Sequence, residues 1–179
     1  MQKKFVVVLI VLVVTLAGCL PNYIPPVKIS TLTSQLKDPV IAVDLSGDSH
    51  VAGVSGNKIV YHRIDSYGAI ARTEEIKHPD PLEDHHFERE KPDIAITQDG
   101  TAWIVWIEKD DLGNQWAMFT SIPPSGEFDG LYYFLDGFSY MSGDLVKVVA
   151  RGDTVYAVYN RIDPVTGYVE IIFYRDLVA

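Results

Sequence analysis

Apolar and polar positions along the chain fall into short runs. After one apolar stretch of twelve residues, Phe5 to Leu16, every later run is of strand length and is bounded by Gly, Asn, Asp or Pro. The runs are rich in β-branched and aromatic residues, and none sustains a 3.6-residue period, so the chain beyond its leader reads as all-β. Paired runs flank an X-Gly turn at Ser46-Gly47, Asp99-Gly100 and Arg151-Gly152. This is hairpin grammar with two-residue turns, because glycine takes the positive φ that such turns need. A third strand is predicted at Lys58 to Arg63, Gln115 to Ser121 and Val169 to Arg175, and a weaker fourth at Ala69 to Ile76 and Leu131 to Leu135.

The three hairpins are copies of one unit. Pro39 to Val54, Pro92 to Ile107 and Asp144 to Tyr159 align on their glycines, with Gly47 and Gly100 separated by 53 residues and Gly100 and Gly152 by 52. Four antiparallel strands recurring about every 50 residues describe the blade of a β-propeller. The second copy, Pro92-Asp-Ile-Ala-Ile-x-x-Asp-Gly-x-x-Trp-Ile-Val-Trp106, resembles the repeats of sialidase-like, BNR-type propellers. The resemblance implies an exported propeller whose binding residues lie on the loops joining strands two to three and one blade to the next. Two departures limit what it implies about activity. Thr97-Gln-Asp-Gly-Thr-Ala-Trp103 lacks the residue between Asp and Gly of an Asp-box, and Arg161-Ile162-Asp163-Pro164 lacks the aromatic before the arginine of the sialidase signature.

The units run 39–91, 92–143 and 144–179, and the last stops after its third strand. Val27 to Leu36 is placed to supply a closing strand. Three blades fall short of the four to eight that close a ring. Three outcomes stay open: two copies forming six blades, a longer propeller of which this is a part, or a different open β-structure.

The leader changes the picture from fold to address. Lys3 and Lys4 precede the apolar run, which at about 1.5 Å per residue spans only about 18 Å as a helix, short of a hydrocarbon core of about 30 Å. A basic start, an apolar run and small residues before a cut make a signal peptide of residues 1–18. Leu16-Ala17-Gly18-Cys19 resembles the lipobox of bacterial lipoproteins, which implies a diacylglyceryl group on Cys19 and a membrane anchor through that lipid. In a cell with two membranes, Leu20 in place of aspartate is compatible with the outer one. Residues 19–38 then read as the lipidated cysteine and a linker.

Charge and composition exclude more than they assign. Of 179 residues, 24 are acidic and 15 basic, and loss of Lys3 and Lys4 with the leader takes the net charge from −9 to −11. So acidic a chain is no nucleic-acid partner. Its only cysteine is the lipidation candidate, which leaves none for a disulfide or a thiolate metal site. The most polar loop, residues 77–91, carries three of the five histidines, but His85 and His86 are adjacent and alternate in direction, so no metal and no cofactor is implied. Candidate ligand-binding residues are His85, His86, Arg89, Asp110, Asp111, Arg161 and Asp163; the aspartates also read as turn formers. Trp103, Trp106, Trp116, Tyr156, Tyr159 and Tyr174 sit inside strands and are expected in the core. The functional expectation is a membrane-anchored, extracytoplasmic binding module for a glycan or surface protein. Its rivals are a sialidase-like glycoside hydrolase, or a fragment of one, and an assembly lipoprotein that pairs through blade edges.

Overall fold

The computed structural model describes residues 36–77, 87–125, 127–128, 130–135, 145–163 and 165–176. Every regular element among them is a β-strand. Sheet 1 comprises β1 (Lys37–Val43), β2 (Ser49–Ser55), β3 (Lys58–Ile64) and β4 (Ile70–Ile76). Sheet 2 comprises β5 (Phe87–Ile96), β6 (Ala102–Asp110), β7 (Gln115–Ile122) and β8 (Tyr133–Phe134). Sheet 3 comprises β9 (Val146–Arg151), β10 (Thr154–Ile162) and β11 (Val169–Arg175). Within each sheet every strand pairs antiparallel with its neighbour in the chain, and among the described residues no sheet closes on itself.

The sheets pack face to face in chain order, and strand periodicity explains how. Successive side chains alternate between faces. In sheet 2, Ile104, Trp106 and Met118 pack with Ala52, Val54, Ile59 and Tyr61 of sheet 1. The alternate residues Val105, Ile107, Ala117 and Phe119 pack with Val146, Val148, Val155 and Ala157 of sheet 3. The middle sheet is therefore apolar on both faces, and β6 reads as a nearly continuous apolar run, AWIVWI. Among the described residues sheet 3 is covered on one face, and β11 alternates between exposed and half-buried. The first strands carry the stacking, with β1 against β5 and β5 against β9.

The hairpin turns depart from the expected two-residue form. Loops 44–48, 65–69 and 97–101, like 110–114, hold three residues between the closing pair, with Gly47, Gly68, Gly100 and Gly113 at φ of 84–88°. The extra residue forms the bulge that follows a type I turn. The cause is local: Asp44, Asp65 and Asp110 each accept the N–H groups two and four residues on, which favours the longer loop. Only the third copy keeps the short turn, with Arg151 directly opposite Thr154. Sheet 2 also starts earlier than the repeat boundary at Pro92. Phe87 to Glu90 pair with Asp110 to Ile107, and a bulge around Lys91, at φ 53°, absorbs the proline.

Candidate functional site

The stack has two ends, and the chemistry divides between them. One end carries the loops between second and third strands, where sequence reading placed the ligand face. There Asp110 accepts the Leu112 and Asn114 N–H groups at 2.9 and 2.8 Å and the Asn114 side-chain amide at 2.7 Å. Asp163 accepts from Val165 and Thr166 at 2.7 and 2.8 Å. Bonds from the Thr166 and Val165 N–H groups hold its carboxyl below the usual carboxylate range. Both aspartates are thus engaged in shaping their own turns. Asp111 is exposed beside Asp110, and Arg161 donates from Nε to Glu170 at 3.1 Å on the adjoining strand. Cys19, His85 and His86 lie outside the described residues.

Arg89 is not on that surface. It is 1% exposed, in the seam between sheets 1 and 2, where its Nε donates to Glu108 at 2.8 Å. Its Nη1 donates to the carbonyls of Asn57 and Ile76 in sheet 1. Arg89 belongs to the head of β5 and not to the polar loop 77–91 that the sequence predicts, because the strand's start lies within a polar run.

The opposite end gathers the first hairpins of all three sheets and the two described cavities. A cavity of about 180 Å³ lies between Val43, Asp44, Thr97, Gln98 and Gly152, where the Gln98 N–H donates to the Gly152 carbonyl at 2.9 Å. A second, of about 300 Å³, is lined by Thr101, Ser121, Glu127, Phe128 and Tyr133, among others. Behind the first lies a buried relay: His50 Nδ1 is 2.7 Å from the Tyr61 hydroxyl, and its Nε2 is 3.2 Å from Asp44 Oδ2. Burial raises the Asp44 pKa, but hydrogen bonds from His50 and from the Asp48 and Ser46 N–H groups outweigh it, keeping the carboxylate ionised. Burial pushes the Tyr61 hydroxyl up to about 12, so it stays protonated. Asp48 is held in turn by Arg63 Nε at 2.9 Å and the Ser66 N–H at 3.1 Å. Arg63 and Arg72 then reach across to the carbonyls of Pro124 and Pro123, just after β7.

Sequence reading missed this cluster. A signal existed, since His50 shares its strand face with Ala52 and Val54, and a polar residue in an apolar row marks a buried partner. Among the described residues no group of three or more His, Cys, Asp or Glu is arranged to hold a metal ion. Comparison with family models, with curated proteins and with solved structures finds no match to this chain.

His62 gives the described core a pH dependence. It is 3% exposed, its Nδ1 lies 2.9 Å from Thr73 Oγ1, and burial holds its pKa below the ordinary 6.5. The unfolded chain then binds a proton that the folded chain refuses. Stability is full above pH 6.5 and falls as pH drops toward the lowered folded value, by at most about 1.4 kcal/mol per unit. Denaturant titrations at pH 7.5 and 5.5 are expected to show this loss in the wild type and a smaller one in His62→Gln.

Proposed function

We propose that this protein is an exported lipoprotein, anchored through a diacylated Cys19, whose body is a stack of propeller-type blades serving as an extracytoplasmic binding module. The observation that carries the reading is the leader: two lysines, a twelve-residue apolar run and Leu16-Ala17-Gly18-Cys19 in that order. The body is compatible with it. Three meander sheets in series, stacked through their first strands, are what blades around an axis require. No helix among the described residues is long and apolar enough to cross a membrane.

The ligand is proposed to be a glycan or a surface protein, taken at the end where the three first hairpins converge. There the 300 Å³ cavity sets Tyr133 and Phe128 beside Glu127, Ser121 and Thr101, a mixture of ring faces and hydrogen-bonding groups that suits a sugar. The hydrolase reading gains no support from Arg89 and Arg161, because Arg89 is buried against Glu108 and Arg161 is paired with Glu170.

Feeding labelled palmitate to cells expressing the full chain tests the anchor. The wild type is expected to carry label in the membrane fraction, and Cys19→Ala to carry none and to leave that fraction. Label retained by the variant, or absent from the wild type, overturns the proposal.

A further inference from the structure

The face of sheet 1 turned away from sheet 2 is buried along its middle and bare at its edges. Its residues alternate with those of the seam to sheet 2. On β2 and β3 they include Val51, Val60, His62 and Ile64, which are 3–6% exposed. On the flanking strands they are Ile41 and Val43 of β1, at 66% and 61%, and Thr73 and Glu75 of β4, both exposed. An antiparallel sheet face without a cover is solvated across its width, so the buried middle needs a cover. Among the described residues nothing supplies it. None of the four buried residues belongs to the apolar clusters between sheets, and the described packing on β1, β2 and β3 comes from β5 on the other face.

What the cover leaves bare gives its width. Ile41 and Val51 are directly opposite each other on β1 and β2, yet one is 66% exposed and the other 5%. Where a whole sheet lies on its neighbour the first strand is buried too: Ile94 of β5, at the repeat position of Ile41, is 7% exposed. A cover that stops between strands about 4.8 Å apart, and spans only β2 and β3, is one extended segment wide. The chain leads such a segment to this place. Leu36, the first described residue, stands on this face over Gly53, where an added Cβ would meet the Leu36 Cβ at 3.1 Å. Residues 27–35, Val-Lys-Ile-Ser-Thr-Leu-Thr-Ser-Gln, lie outside the described residues and run directly into it. From the level of Gly53 to that of Ile64 is roughly 13 Å along the strands, and nine residues of extended chain reach about 30 Å, which leaves room for a turn. Segments 78–86 and 136–144 are each tied at both ends, to β4 and β5 and to β8 and β9, whereas 27–35 is tied at the covered face itself.

We infer that residues 27–35 dock as a strap along the middle of this face, over Val51, Val60, His62 and Ile64. The segment between leader and body is then part of the fold along most of its length. One consequence rests on the lipoprotein reading above: the free tether after Cys19 shrinks to residues 20–26, at most about 24 Å of extended chain.

Single cysteines in the full chain, held in mild detergent, test the strap. Each is reacted with a water-soluble maleimide and the modified site is read by mass spectrometry, so that Cys19 is scored apart. Ile41→Cys is expected to react as an open thiol, and Val60→Cys and Val51→Cys at least about 100-fold more slowly. With Ile29→Asp and Leu32→Asp added in the strap, the two slow sites are expected to react within about tenfold of Ile41→Cys. Val105→Cys, at a position 0% exposed between sheets 2 and 3, is expected to stay protected in both backgrounds. If it reacts as well, the aspartates have opened the body, and Ile29→Ser with Leu32→Ser decides by the same comparison. Val60→Cys and Val51→Cys reacting as fast as Ile41→Cys with the strap intact overturns the docking. Protection that survives the strap substitutions overturns it too, and if that protection falls on dilution a second copy is the cover. The palmitate experiment fails separately: a wild type without label removes the tether and leaves the strap in place.

Discussion

Replacing Glu108 by alanine is expected to destabilise the fold by about 3–5 kcal/mol, the scale for stripping one partner from a buried ion pair. The Arg89 side chain is fully buried and that of Glu108 is 4% exposed. The carboxylate does more than neutralise the guanidinium. Its Oε2 also accepts the Trp106 indole N–H at 3.2 Å, and its Oε1 the Tyr132 hydroxyl at 3.3 Å, while the Arg89 guanidinium sits 5.6 Å from the centre of the Tyr132 ring. Alanine at 108 leaves a cation and two donors facing a small cavity, each without its acceptor. Urea titration of the variant measures the loss. The pair Arg89→Met with Glu108→Leu is expected to recover most of it, since apolar replacements of both partners leave no buried charge. A loss below about 1 kcal/mol in the single variant would show the pair to be solvated and the account wrong.

Phe119→Ala is the second large effect, at about 3–5 kcal/mol, and it acts on the other seam. Phe119 is 5% exposed, lies opposite Val105, and is stacked on Trp103 at 6.2 Å with 16° between the rings. It belongs to the apolar surface that receives Val146, Val148 and Val155 of sheet 3. Removing the ring leaves a void that rigid strands on either side cannot close. For a body of this size the expected fall in Tm is roughly 10–15 °C. Hydrogen exchange localises the damage: amides of β9 to β11 should lose more protection than those of β2 and β3. Equal loss throughout would mean that the three sheets open as one unit, contrary to the separate seams.

How much of this was legible in the sequence depended on whether the signal was periodic. Lys58 to Arg63 and Val169 to Arg175 lie within one residue of the observed β3 and β11, because alternation and flanking glycines define a strand on their own. The all-β, antiparallel architecture followed from the same pattern. The turns were less legible, since a glycine marks a bend and leaves its length open; the aspartate three residues earlier decided it at Gly47, Gly68 and Gly113. The head of β5 was hidden because Glu88, Arg89 and Glu90 look like a solvated run, and the partners that make a buried arginine there tolerable, the Glu108 carboxylate and the Asn57 and Ile76 carbonyls, lie on other strands and turns. For the candidate site, Asp110 and Asp163 were legible as turn formers. The relay of Asp44, His50 and Tyr61 was not, since it joins a turn to two strands through register.

The strictly sequential pairing of strands has a consequence for the order of folding. Among the described residues every strand neighbour is a neighbour in the chain, so loop-closure costs within each sheet are small and each described ladder completes without a distant partner. A chain delivered from its N-terminus completes the ladder of sheet 1 before β5 arrives. What it then lacks is the cover that β5 and β6 bring, with Arg89 as the clasp on the Asn57 and Ile76 carbonyls. Growth is by addition, each sheet serving as the template on which the next one condenses, and the exposed apolar face moves outward with every addition.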